Sequence, residues 1–302
     1  MMERTASWDK IGVDVMGSKK VQDALDKAGL DYMVDMVDVT YTPHGKQILT
    51  APNKKVTYRA DTGEFKGIVG KDYKVCQNRD AFDFVNYIDA DMEFIKAGES
   101  QNGAIWVIAK FPEMEVLGDK ITPHLIFQNG HNGYIGIRST ICMLRVVCQN
   151  QFNAAFKDAA NTISIKHCGD MDSKLSAARE TIKRTKDYIS HYKDEAERLS
   201  GIKISNQDLQ NIIKKMIADE QEVKEGSVSE KKIQYFKECY NADDNSNFIG
   251  TGWGVLNAYT DFLTHMPVGR KCENAEDKRF IRSALNNKEC DRMLKEIENI
   301  GA

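Results

Sequence analysis

The chain has 302 residues, of which 41% are hydrophobic and 29% are charged, and its formal net charge is −3. This composition is typical of a soluble globular protein with a sizeable core, and the charge excludes a uniformly basic nucleic-acid coat but not a basic face. No apolar signal-peptide segment begins the sequence, no run has the ~18 apolar residues of a membrane span, and the seven cysteines form no C-x-x-C. These features predict a cytoplasmic protein without disulfides and without a membrane partner.

The first half of the sequence is rich in predicted β-hairpins. A short helix is expected near residues 18–29, and alternating apolar residues predict a strand over 32–41. Turn-forming residues at "ADTGE", "SQNG" and "NGHNG" predict hairpins within 54–78, 92–112 and 124–140. A short helix is expected after the first hairpin, and a last strand over 161–167.

The second half of the sequence predicts helices. Apolar residues at alternating spacings of three and four predict one long helix over 170–199 with a heptad-like stripe, which packs either on helices of the same chain or on another subunit. Further helices are expected over 205–219, 228–241, 253–265 and 276–299. The predicted fold class is therefore α+β: an antiparallel, hairpin-rich sheet with packed helices over 1–168, followed by a helical region over 169–302.

The tetrapeptide Val-Cys-Gln-Asn occurs twice, at residues 75–78 and 147–150. Each copy ends an apolar run and precedes residues with helical spacing, which predicts a strand leading into a helix that the asparagine caps. Each helix N-terminus could hold a phosphate or could simply be capped. For the second copy, a single helix over 140–158 is an alternative.

Motifs for known catalytic chemistries are missing from the sequence. It contains no H-E-x-x-H, no G-x-S-x-G and no G-x-G-x-x-G, and "GIVGKDY" at 67–73 departs from a phosphate-binding loop in both spacing and final residue. We therefore expect no metal, no cofactor and a binding protein rather than an enzyme.

One stretch of the sequence has few acidic residues. Between Ile121 and Gly169 the only acidic residue is Asp158, while cations, aromatic residues and side-chain amides are interleaved. A groove for a single nucleic-acid strand needs cations for the phosphates and aromatic faces for the bases. If these side chains lie open on one face, the candidate nucleic-acid-binding residues are Lys54, Lys55, Arg59, Phe127, Tyr134, Arg138, Arg145, Asn150, Lys157 and Lys166. The alternative is that the aromatic residues are core and the arginines pair with acids elsewhere.

Several segments occur in an order that resembles a known family. They are "SWDKIG" (7–12), "ALDKAGLDYMV" (24–34), "YKVCQN" (73–78), "AGESQNGAIWVIAKF" (97–111), "RVVCQN" (145–150), "IKH" (165–167) and "GTGWGVLNAYTDFLTH" (250–265). Together they resemble the phage/plasmid-like domain of unknown function 932. The resemblance implies a mobile-element origin and the cytoplasm of a bacterial host, but no activity and no catalytic residues. Gln149-Asn150-Gln151 stands where family members place Asn-Thr, so no threonine role is expected.

Three classes of function follow from these observations. The first is a phage or plasmid DNA-metabolism protein that binds single-stranded DNA and promotes annealing or recombination as a homo-oligomer, since the order of hairpins and helix is similar to that of phage single-strand annealing proteins. The second is a non-catalytic factor that binds a host protein, for example to counter a defence system. A metal-dependent nucleic-acid enzyme, with carboxylates that the sequence does not reveal, is a third hypothesis.

Overall fold

A computed structural model of the protein describes residues 5–87, 91–153, 162–182, 185–217, 227–267, 274–285 and 288–301. It confirms the α+β class, with two antiparallel sheets in the first half and helices in the second. The elements are given below in the order in which they build the fold.

The larger sheet is antiparallel and forms the centre of the protein. Its main path has the strand order β1-β5-β6-β8-β9-β10, with β7 paired to β8 and β11 paired to β9. The strands are β1 (Val13–Asp14), β5 (Glu93–Glu99), β6 (Ala104–Lys110), β7 (Met114–Val116), β8 (Asp119–Gly130), β9 (Ile137–Arg145), β10 (Gln151–Phe152) and β11 (Thr162–Ile165).

Both faces of this sheet are covered, so the residues of β6, β8 and β9 are buried almost continuously along each strand. One face, with Val107, Leu125 and Phe127, belongs to the main core and contacts α1 (Val21–Lys27) and α2 (Asn78–Phe82). The other face, with Trp106 and Ile126, packs with Trp8 and Phe280 in a second apolar cluster.

A smaller sheet of three strands lies beside the larger one. It contains β2 (Val34–Tyr41), β3 (Leu49–Arg59) and β4 (Phe65–Gly70) in that order. The hairpin β3–β4 turns at residues 60–64, as "ADTGE" predicts, and the hairpins β5–β6 and β8–β9 turn where "SQNG" and "NGHNG" predict.

The helical half packs on the larger sheet and on itself. Its helices are α3 (Met171–Ile182), α4 (Thr185–Gly201), α5 (Asn206–Met216), α6 (Val228–Tyr240), α7 (Gly252–His265), α8 (Ala275–Phe280) and α9 (Lys288–Gly301). The predicted helix over 170–199 corresponds to α3 and α4, and residues 183–184 lie outside the described ranges. Tyr192 and Leu199 of its stripe are buried within the chain, where Tyr192 contacts Phe152 and Trp253.

The two Val-Cys-Gln-Asn copies adopt different structures, and the predicted asparagine caps are wrong. In the first copy Gln77 is the N-cap of α2, while Asn78 is the first helical residue and donates its amide to the Leu30 carbonyl oxygen at 2.7 Å. In the second copy β9 turns back at residues 146–150 into β10, with Gln151 opposite Leu144. The single helix over 140–158 is therefore also wrong, because residues 137–145 are a central strand.

Candidate functional site

A cleft of about 420 Å³ opens where three loop segments meet at one end of the larger sheet. Its walls come from the end of β4 and the following turn, from the β8–β9 loop, and from the residues after β11. The lining residues are Gly70, Asp72, Tyr73, Gly133, Tyr134, Ile135, Gly136, Lys166, His167 and Cys168.

Two glycines let these segments come together. A Cβ on Gly136 would lie 2.4 Å from the Ile165 carbonyl oxygen, so only glycine allows the β8–β9 loop to lie directly against the end of β11. Gly133 has φ +81°, and a Cβ there would lie 3.2 Å from Val69 Cγ1 in β4. Glycine thus sets the contact of this loop with both of its neighbours.

His167 forms one wall of the cleft and is held by the chain segment after β4. Its ring stacks on Tyr73 with the centroids 5.1 Å apart, and its Nδ1 lies 3.2 Å from the Lys74 carbonyl oxygen. Because a carbonyl can only accept, Nδ1 carries the proton. Burial lowers the pKa of His167, so the ring is neutral and Nε2 is a hydrogen-bond acceptor. Nε2 is buried and makes no hydrogen bond to a described residue.

Behind His167 lies a buried polar cluster. The His131 ring is 6.3 Å from that of His167, and its Nε2 donates to Asn78 Oδ1 at 3.0 Å. Asn129 donates to the same oxygen at 2.9 Å. Burial lowers the pKa of His131 to about 3, so this ring is also neutral and its Nδ1 is a second acceptor. The two rings thus leave two buried nitrogen atoms without a hydrogen-bond donor among the described residues.

One cation lines the cleft, and two more lie on the neighbouring strand and helix. Lys166 is exposed and also lines a neighbouring groove of about 450 Å³, to which α3 contributes Lys174. Ser164 of β11 pairs with Arg138 of β9, which makes Lys166, two residues further along, a diagonal neighbour of Arg138. Within the described ranges, none of these three cations makes an ion pair. Tyr134 lines the same cleft as Lys166 and is 89% exposed. We call Tyr134, Arg138, Lys166 and Lys174 the Tyr134 surface.

Three of the predicted binding residues are buried, and the interpretation of them as contacts to nucleic acid is wrong. Phe127 is fully buried and packs edge-on against Phe84 at 5.8 Å, so no base can stack on it. Arg145 is buried between Asp119 at 2.7 Å and Asp244 at 3.1 Å, which neutralise its charge. The Asn150 amide donates to the Asn257 carbonyl oxygen at 3.1 Å and is not available to a ligand.

The cations of the β3 hairpin do not themselves line the cleft, although Gly70, the strand partner of Lys54, does. Arg59 pairs with Asp61 at 2.9 Å and lies over the Tyr32 ring, and Lys55 is 3.7 Å from Asp38. Lys54 is exposed next to Gly70, its partner on β4. Lys157 lies outside the described residues. Of the ten predicted residues, the structure therefore brings Tyr134, Arg138 and Lys166 together.

Sequence reasoning missed the buried polar cluster. Neither histidine is among the candidate residues predicted from the sequence, yet His131 directly follows β8 and His167 closely follows β11. Because β8 and β11 both pair with β9, their ends lie close together. This arrangement of strands was the feature from which a contact between the two histidines could have been predicted. Asn78 lies more than fifty residues away, and no spacing rule connects it to them.

The described residues contain no group of three or more His, Cys, Asp or Glu side chains arranged to hold a metal ion. Among the helices in the described ranges, none combines the length and the hydropathy needed to cross a membrane.

The fold and the cleft define an α+β protein with a two-sided antiparallel sheet and a basic, partly aromatic site at one sheet end. The chain belongs to the family of the domain of unknown function DUF932, whose profile matches residues 66–285. The matched region contains the whole cleft lining and the Tyr134 surface. Neither a curated protein nor a solved structure matches the chain.

Proposed function

We propose that the protein binds single-stranded nucleic acid through the Tyr134 surface. The observation that carries the proposal is the almost fully exposed ring of Tyr134 in the same cleft as Lys166, a cation that makes no ion pair among the described residues. Phosphates need such free charges, and a base can stack on an exposed ring without regard to sequence.

The cleft supports this proposal by its size and its chemistry. Its volume of about 420 Å³ lies within the range of small-ligand sites and accommodates one unstacked base. A base on Tyr134 would lie in the cleft that His167 and Lys166 also line. Asp72 is the acidic residue of the lining, and it favours base over phosphate in the cleft itself.

Annealing or recombination in the cytoplasm of a bacterial host is the further part of this proposal. Annealing requires two bound strands to meet, which a homo-oligomer with several Tyr134 surfaces would permit. The mobile-element origin expected from the family resemblance is consistent with such a role.

Fluorescence anisotropy with a labelled single-stranded oligonucleotide tests the binding. We expect affinity at low salt that falls steeply as salt rises, because bound cations release counterions. Tyr134→Ala should weaken binding roughly tenfold through lost stacking. Arg138→Ala and Lys166→Ala should each lower the dependence of log Kd on log salt by somewhat less than one unit.

Lys214→Ala is the matched control, because Lys214 is an exposed lysine on α5 and does not line the cleft. It should leave both affinity and salt dependence unchanged. The proposal fails if the protein does not bind the oligonucleotide at low salt, or if the Tyr134 and Arg138 variants bind as well as the wild type.

A further inference from the structure

The three-stranded sheet of β2, β3 and β4 has one face that contacts the rest of the protein. On this inner face the Thr57 hydroxyl donates to the His131 carbonyl oxygen at 2.6 Å, and Val69 is 3% exposed. A Cβ on Gly67 would lie 2.5 Å from Asn132 Cα, so the inner face approaches the β8–β9 loop as closely as backbone allows.

The opposite face of the same sheet is apolar and open to solvent. Because side chains alternate along a strand, the residues between the inner-face positions point outward, and the register shift between Thr57 and Tyr58 puts Phe65 on the same side. Met33, Val37, Phe65 and Ile68 are 58%, 52%, 60% and 52% exposed. We call this surface the outer face; its apolar residues are Met33, Val37, Val56, Tyr58, Phe65 and Ile68.

The outer face is continuous across all three strands. Val37 pairs with Val56, and Val56 pairs with Ile68, so that one apolar row crosses the sheet. Tyr58 and Phe65 extend it on one side, where they are also direct partners. Single exposed apolar residues scattered over a surface are normal, whereas a contiguous exposed apolar surface marks an interaction site.

Charge on the outer face identifies its occupant. Asp35 lies opposite Tyr58, on one side of the apolar row, and Lys54 lies opposite Gly70, on the other side. Both are exposed, and neither makes an ion pair within the described part of the chain. A twofold axis along the apolar row would stack two such sheets and place Asp35 of each copy within reach of Lys54 of the other.

We infer that the outer face is the interface of a homodimer in which two copies of this sheet pack face to face. An isologous contact of this kind buries the apolar rows against each other and pairs the two charges twice. The inference stands on the outer face alone and is independent of nucleic-acid binding.

Sedimentation equilibrium of the full chain over micromolar concentrations tests the interface. Wild type should approach twice the chain mass of 34.1 kDa. Val56→Glu combined with Ile68→Glu should give the chain mass at every concentration, because it buries four carboxylates in the interface. A circular dichroism melting curve reports whether this variant is folded.

Charge variants test the twofold register without a change in apolar surface. Asp35→Lys should raise the dimer Kd at least tenfold, because it places like charges together, and adding Lys54→Asp should restore the wild-type Kd. Val228→Glu is the control, because Val228 is a solvent-exposed valine on α6, away from the outer face. A monomeric wild type, or a dimer that the double glutamate variant leaves intact, overturns the interface. A Kd unchanged by Asp35→Lys overturns the register on which the choice of a second copy rests.

Discussion

Two arginines on strand β9 lie in opposite environments. Arg138 is exposed next to β11, whereas Arg145 is buried between the carboxylates of Asp119 and Asp244. Asp244 belongs to the 3-10 turn Asp243–Phe248 in the helical half. A buried charge that loses its partner is costly, while a surface charge contributes little to stability. Replacing Arg145 should therefore destabilise the protein, whereas replacing Arg138 should have little effect on its stability.

Arg145→Gln should lower the free energy of unfolding by about 3–5 kcal/mol, because it leaves two half-buried carboxylates without their cation. Arg138→Ala should change the free energy of unfolding by less than about 0.5 kcal/mol. Urea denaturation of both variants measures the difference. Equal stability of the two variants would contradict the buried ion-pair network.

His131 should make the protein less stable in mild acid. Burial lowers its pKa to about 3 in the folded state, against 6.5 for an ordinary histidine. Below pH 6.5 His131 therefore binds a proton in the unfolded chain but not in the folded chain. The free energy of unfolding falls as the pH drops toward the pKa of the folded state. Between pH 7 and pH 5 this single group should cost about 2 kcal/mol.

Urea unfolding of wild type and His131→Asn at pH 7, 6 and 5 tests the effect of His131. The variant should lose about 2 kcal/mol less than wild type over this range, whatever its stability at pH 7. His191→Gln is the control, because His191 is exposed on α4. A pH dependence that His131→Asn does not reduce would show that His131 is not buried in its neutral form.

At the scale of elements, periodicity and turn residues predicted most strands and helices. Alternation, turn signals and helical spacing depend on neighbouring residues, so they are visible in sequence. The structure of the second Val-Cys-Gln-Asn copy was predicted wrongly because contacts with residues distant in the sequence determine it. The Cys148 carbonyl oxygen accepts from His265 Nε2 at 2.8 Å, and Gln151 N donates to Thr264 Oγ1 at 3.1 Å. Contacts with α7, over a hundred residues away, satisfy groups that a helix would otherwise have paired.

The candidate site was predictable only in part, because local sequence patterns do not show which residues the fold buries. The acid-poor stretch correctly indicated exposed Tyr134, Arg138 and Lys166, but it also included Phe127 and Arg145, which the fold buries. Alternation along β8 and β9 shows which side chains share a face. It does not show that helices cover both faces, and this coverage decides which residues a ligand can reach.

Helix α7 depends on glycines for its close packing. Its residues from Gly252 to Thr264 are buried, and a Cβ on Gly254 would lie 2.0 Å from the Phe248 carbonyl oxygen. Gly254→Ala should lower the free energy of unfolding by about 1–3 kcal/mol, because backbone must move to admit the methyl group. Gly201→Ala at the end of α4 meets no atom within 4 Å and should be neutral or stabilise by up to about 1 kcal/mol.

Thermal or urea unfolding of the two alanine variants separates packing from helix propensity. Propensity alone favours alanine at both positions. A Gly254→Ala variant as stable as Gly201→Ala would therefore contradict the close approach of α7 to the turn Asp243–Phe248.

At the scale of the whole molecule, the strand-rich and helical halves share one apolar core. A single buried cluster contains residues from Val15 to Ile297. An aromatic chain crosses between the halves, since Tyr192 of α4 lies 5.5 Å from Phe152 of β10 and 5.6 Å from Trp253 of α7. Arg145 joins β9 to the helical half through Asp244. Neither half can lose its structure without exposing apolar surface of the other.

The full chain should therefore unfold in one transition. Far-UV circular dichroism, which follows mainly the helices, and tryptophan fluorescence, which reports Trp8, Trp106 and Trp253, should give the same urea midpoint. Tyr192→Ala should shift both midpoints together, because the cavity weakens both halves by about 3–5 kcal/mol. Tyr134→Ala, at a solvent-exposed tyrosine, should shift neither. Two separated transitions, or a Tyr192→Ala shift confined to the circular dichroism signal, would show that the halves fold independently.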